Sequence, residues 1–185
     1  MMKELLDDGR RRMQKSLKTF KEELARVRTG RASVSLLESI KVDYYGTKMP
    51  IPQMATVTVQ EARHILIQPW DASTIKAIER AIMESDLGLT PTTDGQTIRL
   101  TVPPLTEERR KDLVKLVRKM AEEARIAIRN IRRELMDELK KRKKGGEISE
   151  DDFHRYQNQV QKLTDEFIEK IQEVLEEKEK EILTV

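Results

Sequence analysis

The sequence predicts an α+β protein, built as an elongated three-helix bundle with a small β/α/β domain inserted between the first and second helices. All six prolines lie between residues 50 and 104, and proline breaks regular helices. On both sides of the segment 31–104, which contains this proline cluster, apolar residues recur every three or four positions, which is the period of one helix face. The predicted boundaries are residues 1–30 and 105–185 for the bundle and 31–104 for the inserted domain.

The first bundle helix is predicted to end at Thr29 and Gly30, because glycine is favoured just beyond helix C-termini. Its apolar stripe comprises Leu6, Met13, Leu17, Phe20, Leu24 and Val27. A single amphipathic helix cannot bury its own stripe, so this helix needs partner helices of similar length.

Strand signals in the inserted domain come from short runs in which apolar and polar side chains alternate. These runs lie at residues 40–44, 55–60, 65–67 and 98–102. Asp94 and Gly95 form a tight-turn dipeptide before the last run, which predicts a hairpin there. The domain is therefore expected to contain a small sheet.

One helix is expected to interrupt these strands. Ser73 is a candidate N-cap, since its hydroxyl can accept a hydrogen bond from the free amides of the first turn. Gly88 follows the expected end of the helix. The apolar stripe comprises Ile75, Ile78, Ala81 and Ile82.

The second bundle helix is predicted to begin after Thr106, a candidate N-cap, and to end at the glycine pair at 145 and 146. At about 1.5 Å per residue, a helix over residues 106–143 would be roughly 57 Å long. Its apolar positions are Leu113, Leu116, Val117, Met120, Ala124, Ala127, Ile128, Ile131, Leu135 and Leu139.

The third bundle helix is predicted to begin at Ser149, an N-cap followed by acidic residues that suit the helix dipole. Its apolar positions are Phe153, Tyr156, Val160, Leu163, Phe167, Ile171, Val174 and Ile182. The three stripes can close one core if the helices pack nearly parallel.

The formal net charge of +3 conceals two helices of opposite sign. Residues 106–144 carry 15 basic and 8 acidic side chains, whereas residues 147–185 carry 5 basic and 12 acidic ones. Part of this complementarity is expected to hold the bundle together through ion pairs between helices, each of them individually weak.

The second helix also carries a row of arginines. Projected at 100° per residue, Arg118, Arg125, Arg129 and Arg132 fall within about 60° of one another, and Arg133 lies about 60° from Arg118. In this projection they face directly away from the core positions, which are taken as Leu113, Met120, Ala127 and Ile131. The guanidinium fork matches phosphate oxygens two at a time, so the row favours phosphate recognition.

The alternative for this row is a solvated face with ion pairs along the helix, for which Glu122 is the main partner. There is no aromatic residue between 105 and 146 on which single-stranded bases could stack. This favours folded RNA or a duplex backbone that is recognised by shape and phosphate position.

The basic cluster at residues 140–144 surrounds the helix and is interpreted as a solvated helix end.

Catalytic chemistry has little support in the sequence. The chain has no cysteine, which excludes disulfides, thiolate nucleophiles and cysteine-based metal sites. His64 and His154 are expected to be surface or packing residues, and no phosphate-binding loop, dinucleotide fingerprint or nucleophile elbow occurs. We therefore expect no enzyme, no cofactor and no metal.

The absence of a long apolar run predicts a cytoplasmic protein without membrane association.

Three stretches resemble the ribosome recycling factor family. The first combines Arg-Thr-Gly-Arg at residues 28–31 with the run at 40–46, the second covers residues 86–107, and the third is the arginine-rich segment 127–133. The order and spacing match over essentially the whole chain, which makes the resemblance specific.

The resemblance implies an L-shaped, monomeric factor that acts after termination. With elongation factor G and GTP, such a factor splits the post-termination ribosome and releases mRNA and deacylated tRNA. It also implies that the bundle binds ribosomal RNA of the large subunit near the peptidyl-transferase region, through Arg129, Arg132 and Arg133, supported by Arg28. The competing hypothesis is a helical-bundle protein-interaction module, which would leave an apolar stripe uncovered.

The connections between the two domains are a candidate hinge, because only two strands of chain join them. The candidate hinge residues are Gly30, Arg31, Val102, Pro103, Pro104 and Leu105. In the family, the smaller domain moves relative to the bundle and is the part on which elongation factor G acts. We therefore expect these residues to transmit a push from the GTPase.

Overall fold

The computed structural model describes residues 2–184 and contains two compact units. Residues 2–28 and Glu107–Thr184 form the bundle unit, and Thr29–Thr106 form the inserted unit. Residues 1 and 185, which are predicted to belong to the bundle, lie outside the described residues.

The bundle unit contains three long helices, which confirms the predicted bundle. They are α1 (Met2–Ala25), α4 (Glu107–Lys144) and α5 (Glu150–Thr184), with α2 and α3 in the inserted unit. The predicted end of the first helix at Thr29 and Gly30 is wrong, because the helix gives way to turns after Ala25. Their buried side chains include Met13, Leu17, Phe20, Leu24, Val117, Ile128, Leu135, Leu139, Val160, Phe167, Ile171 and Ile182. The helices therefore close a single apolar core, as the three stripes require.

Local contacts fix where α4 ends and α5 begins. The amide of Gly145 donates to the carbonyl of Lys141 over 3.0 Å, and Gly146 has a φ of +75°, a conformation that glycine adopts without strain. The Ser149 hydroxyl accepts a hydrogen bond from the Asp152 amide over 3.0 Å, which confirms the predicted N-cap.

Ion pairs join the bundle helices. Between α4 and α5, Arg118 Nε lies 2.7 Å from Glu179 Oε1, as the opposite charges of these two helices predict. Helix α1 forms pairs with both of them. Arg10 of α1 lies 3.1 Å from Glu166 of α5, and Arg12 of α1 pairs with Glu134 of α4. The hydrogen bond from Arg10 lowers the pKa of Glu166, with a smaller contribution from Lys170. These pairs are partly exposed, so each contributes little stability.

The inserted unit contains two short helices, α2 (Ser35–Glu38) and α3 (Ile75–Met83), and six strands. The strands are β1 (Lys41–Tyr44), β2 (Thr47–Pro50), β3 (Ala55–Gln60), β4 (His64–Pro69), β5 (Thr92–Asp94) and β6 (Thr97–Thr101). The sheet signals and the β5–β6 hairpin are confirmed, whereas α2 and β2 have no counterpart in the prediction. All strand pairs are antiparallel: β1 pairs with β2, and the other four form a sheet in the order β3-β4-β6-β5.

The core of the inserted unit lies between α3 and one face of this sheet. Cross-strand pairing aligns Ile65 with Leu100 and Ile67 with Ile98, and all four side chains are fully buried. Ile78 and Ile82 of α3 belong to the same cluster, together with Leu37, Val42 and Ile51. The predicted helix stripe is thus confirmed, since its other two members, Ile75 and Ala81, are partly buried against the same cluster.

The N-cap of the short helical segment differs from the prediction. Asp71, not Ser73, caps the 3₁₀ turn Ala72–Thr74 that leads into α3. The Asp71 carboxylate accepts hydrogen bonds from the Ser73 hydroxyl over 2.7 Å and from the Ser73 amide over 3.0 Å. These bonds lower the pKa of Asp71, with the side-chain bond as the larger cause. Ser73 is wrong as the cap because the helical segment begins one residue before it.

Asp71→Ala is expected to lower the melting temperature at pH 7 more than at pH 3. Because the folded-state pKa is lowered, the stabilisation is fully present above the unfolded pKa of about 3.9 and is lost as the pH falls through the folded-state value. Trp70 is the only tryptophan of the chain, so its fluorescence follows unfolding of this unit. An equal difference between wild type and variant at both pH values would contradict the charged cap.

Within residues 2–184, no helix combines the length and the apolar composition needed to cross a membrane.

Candidate nucleic-acid interface

The arginine row of α4 lies beside the packed seam of the helix, and not opposite to it. The buried positions of α4 are Leu113, Val117, Ala121, Ile128, Ile131, Leu135 and Leu139. Their mean direction is about 100° from Arg118 at 100° per residue. The prediction that the arginines face directly away from the core is therefore wrong. Met120 and Ala127, taken as the centre of the seam, are only half-buried because they lie at its edge, next to a groove shared with α1.

Arg118 is neutralised by the neighbouring helix. Its Nε donates to Glu179 Oε1 of α5 over 2.7 Å, and this hydrogen bond, followed by the charge of Glu179, raises the pKa of Arg118. This ion pair links α4 to α5, so Arg118 has a partner within the bundle.

Arg125 and Arg129 share one carboxylate. Glu122 Oε2 lies 3.4 Å from Arg125 Nε, and Glu122 Oε1 lies 3.3 Å from Arg129 Nη1. The side chain of Arg125 is only 18% exposed, and its buried Nη1 has no hydrogen-bond partner among the described residues. Arg129 is considerably more open, with 47% of its side chain exposed. The expected role of Glu122 as an ion-pair partner on this row is therefore confirmed.

Arg132 has an uncharged partner on α5. Its Nη1 donates to the side-chain oxygen of Gln161 over 3.2 Å, and the Gln161 amide nitrogen donates to Asp165 Oδ1 over 2.8 Å. Arg132 forms no ion pair with a carboxylate of residues 2–184. Its positive charge is consequently available to an external anion.

Arg133 and Arg28 are exposed and make no hydrogen bond or ion pair with another described residue. Arg133 follows Arg132 on α4, whereas Arg28 lies three residues beyond the end of α1. The predicted set therefore contains paired members and members that are open to a ligand.

The basic cluster at the end of α4 is partly paired. Arg142 Nε lies 3.1 Å from Glu138 Oε1, and Lys143 Nζ lies 3.7 Å from Glu150 and 4.7 Å from the centre of the Phe153 ring. Within residues 2–184, Lys140, Lys141 and Lys144 have no such partner and are exposed.

The candidate hinge residues flank one turn of the inserted unit. Ala32 donates its amide to the carbonyl of Ala62 over 2.6 Å, and Val102 donates to the carbonyl of Arg63 over 2.7 Å. Both connections are therefore fixed at the β3–β4 turn, in which Ala62 has a φ of +61°. Arg31, Pro103 and Pro104, which lie next to these anchors, are exposed.

Gly30 and Leu105 bring the two connections into contact. Gly30 has a φ of +77°, and a Cβ at this position would lie 2.8 Å from Leu105 Cγ. Any other residue would be strained by the backbone conformation and would displace Leu105. Glycine at position 30 thus avoids both the backbone strain and the contact with the Leu105 side chain, and only the contact disappears when Leu105 is replaced by a shorter residue.

The histidines have ordinary surroundings. His64 Nδ1 lies 3.2 Å from Thr101 Oγ1, and the His154 ring packs edge-on against Phe153 with the ring centres 5.6 Å apart. The described residues contain no group of three or more metal-ligating side chains that could hold an ion.

Three residues of this interface were not anticipated from the sequence: Gln161, Asp165 and Glu179 of α5. The opposite charges of the two helices indicate that such contacts exist. They do not indicate which residues meet, because that depends on the axial alignment of α4 and α5.

Comparison with known proteins gives a consistent result over the full length. The family described as ribosome recycling factor matches residues 20–183. A ribosome-recycling factor from Halalkalibacterium halodurans is 56% identical over 185 residues, with 100% of both chains covered. One from Syntrophus aciditrophicus is 54% identical over 185 residues, again with 100% of both chains covered.

Solved structures give the same family. A solution structure of the ribosome recycling factor has a TM-score of 0.75 and 46% identity, with 100% of this chain and 98% of that chain covered. Models for the T. thermophilus ribosome recycling factor and the E. coli elongation factor G bound to the E. coli post-termination complex include a chain with a TM-score of 0.65 and 52% identity, with 99% of both chains covered. The chain described here therefore belongs to the ribosome recycling factor family.

Proposed function

We propose that this protein recycles ribosomes after termination. Together with elongation factor G and GTP, it splits the post-termination complex, so that mRNA and deacylated tRNA are released. The observation that carries this function is the family match along the whole chain. It is supported by a relative of known structure that is described as bound, with elongation factor G, to the post-termination complex.

The bundle is the ribosomal RNA-binding part in this proposal. The proposed phosphate ligands are Arg28, Arg118, Arg125, Arg129, Arg132 and Arg133, which bind large-subunit RNA near the peptidyl-transferase region. Three of them, Arg28, Arg132 and Arg133, have no carboxylate partner among the described residues. They are therefore the strongest candidates, because a phosphate does not have to displace an internal anion.

The inserted domain, residues 31–104, transmits force in this mechanism. The bundle remains bound to RNA while the connections at Gly30, Arg31 and Val102 to Leu105 allow the domain to move when elongation factor G pushes on it. The hinge is supported by the two anchors at the β3–β4 turn, because they hold both connections beside each other at one point.

The factor itself hydrolyses nothing in this proposal. GTP hydrolysis belongs to elongation factor G, and the factor acts as a monomer in the cytoplasm without a cofactor. Its contribution is binding and mechanical coupling.

A helical-bundle protein-interaction module is the second candidate, and the surface of the bundle disfavours it. Such a module requires a continuous apolar stripe. Among the described residues of the bundle unit, the large hydrophobic side chains that are exposed are Leu116, Ile126 and Leu183. Leu116 and Ile126 are about 15 Å apart along α4 at about 1.5 Å per residue, so these two residues do not form one continuous stripe.

A pull-down from a cell lysate with and without ribonuclease separates the two candidates. The recycling function predicts recovery of large ribosomal subunits that is lost after ribonuclease treatment. Recovery of a protein partner that is unaffected by ribonuclease, without ribosomal subunits, would support the interaction module instead.

A further inference from the structure

The arginines between α4 and α5 have chemically different partners. Arg118 is held by the carboxylate of Glu179, whereas Arg132 is held by the amide oxygen of Gln161. A carboxylate orients a guanidinium and also cancels its charge. An amide oxygen orients it and leaves the full charge in place.

The amide of Gln161 is itself oriented. Its nitrogen donates to Asp165 Oδ1 over 2.8 Å, one turn further along α5, so that its oxygen is directed to Arg132. This assignment agrees with the chemistry of the partners, because arginine can only donate and an ionised carboxylate can only accept. Asp165 therefore acts on Arg132 through Gln161 without forming an ion pair with it.

The contact uses only part of the Arg132 fork. Nη1 donates to Gln161, and neither Nε nor Nη2 makes a hydrogen bond to a described residue. The guanidinium is planar, so fixing one nitrogen restricts the directions of the remaining N–H groups. Arg132 is thus preorganised with several donors still available for phosphate oxygens.

We propose that Gln161 is a positioning residue for RNA binding: it holds the Arg132 guanidinium across the α4–α5 contact and leaves its charge available for a backbone phosphate. This inference rests on the proposed function, in which Arg132 binds ribosomal RNA. The requirement at position 161 is a neutral hydrogen-bond acceptor. A carboxylate at this position would compete with phosphate for Arg132.

Gln161→Glu tests this requirement, with Gln172→Glu as the matched control. Gln172 lies on the same helix, and its amide donates to Glu176 over 3.0 Å with the same four-residue spacing, but it forms no hydrogen bond with an arginine of residues 2–184. Binding to purified large subunits is measured over a range of salt concentrations. Gln161→Glu is expected to weaken binding on the order of ten-fold and to reduce the salt slope by about 0.7 to 0.9. Gln172→Glu is expected to leave both quantities near wild type.

Gln161→Ala separates positioning from charge. This variant removes the acceptor and adds no carboxylate, so the phosphate contact still forms, but with a less ordered arginine. We expect a smaller loss of affinity with an unchanged salt slope. Circular dichroism and thermal unfolding of each variant verify that the bundle is intact.

Combining each change with Arg132→Ala identifies the residue through which Gln161 acts. The effect of Gln161→Glu is expected to disappear in the Arg132→Ala background. Persistence of the effect there, or wild-type binding by Gln161→Glu alone, would overturn the role of Gln161 while leaving the proposed function intact. Wild-type binding by Arg132→Ala alone would overturn the phosphate contact and the role of Gln161 together.

Discussion

Replacing both Arg129 and Arg132 by alanine is expected to reduce affinity for the large ribosomal subunit by roughly two orders of magnitude or more. Hydrogen bonds to charged groups contribute roughly 1.5 to 3 kcal/mol each, and about 1.4 kcal/mol corresponds to a factor of ten in affinity. The salt slope is expected to fall by about 0.7 to 0.9 for each phosphate that the variant no longer neutralises. Arg132→Ala should account for the larger part, because Glu122 already partly neutralises Arg129.

Two further variants test the specificity of this result. Arg155 is an exposed α5 arginine paired with Asp152 over 3.1 Å, and Arg155→Ala should bind like wild type. Arg118→Ala should lose less affinity than Arg132→Ala, since Glu179 neutralises Arg118. An unchanged salt slope for the Arg129 and Arg132 double variant, with an intact circular-dichroism spectrum, would refute the phosphate contact.

Linking the two connections by a disulfide is expected to abolish ribosome splitting while preserving subunit binding. Gly30→Cys combined with Leu105→Cys is the suitable pair, because a Cβ at position 30 would lie 2.8 Å from Leu105 Cγ. Leu105 Cβ is one bond from Cγ, so the Cβ atoms of the two positions are compatible with the Cβ–Cβ distance of about 3.5 to 4.5 Å that disulfides require. The natural chain has no cysteine, which makes these the only thiols in the variant.

The reduced form of the same variant is the control. It contains the same substitutions at the strained position 30 and differs only in the crosslink, so addition of reductant should restore splitting with elongation factor G and GTP. Oxidised protein that splits ribosomes at the rate of the reduced protein would show that motion at these connections is not required.

Sequence periodicity was sufficient for most of the fold, because helix and strand patterns depend on neighbouring residues. α4 and α5 begin and end close to the predicted residues, and β3 spans Ala55–Gln60 as its alternating run indicates. The cap of the helical segment was wrong because Asp71 and Ser73 are both good capping residues and lie only two positions apart. In the structure, the Asp71 carboxylate accepts hydrogen bonds from the hydroxyl and the amide of Ser73. Asp71 is therefore the residue that precedes the first turn.

Helix packing was less predictable, since it depends on contacts between distant segments. Gly9 resembles a helix breaker in sequence, yet it is buried within α1, where a Cβ would lie 2.6 Å from a Leu135 methyl group. The glycine allows α1 and α4 to approach closely. Met120 lies beside a groove shared with α1 and is half-buried there.

The candidate site was predictable in residue type and only partly in arrangement. The arginines were found from their spacing on one helix, which is a local property. The Arg132–Gln161 contact joins residues 29 positions apart, and it exists because α4 and α5 pack in one particular alignment. The sequence contains many glutamines and glutamates on α5, and their individual partners follow only from that alignment.

A ribosome-splitting assay tests the central claim most directly. Post-termination complexes are mixed with the factor, elongation factor G and GTP, and subunit separation is followed by light scattering. We predict rapid splitting when all three are present, and little splitting when the factor is omitted or when GTP is replaced by a non-hydrolysable analogue. Splitting by elongation factor G and GTP at the same rate with and without the factor would contradict the proposed function.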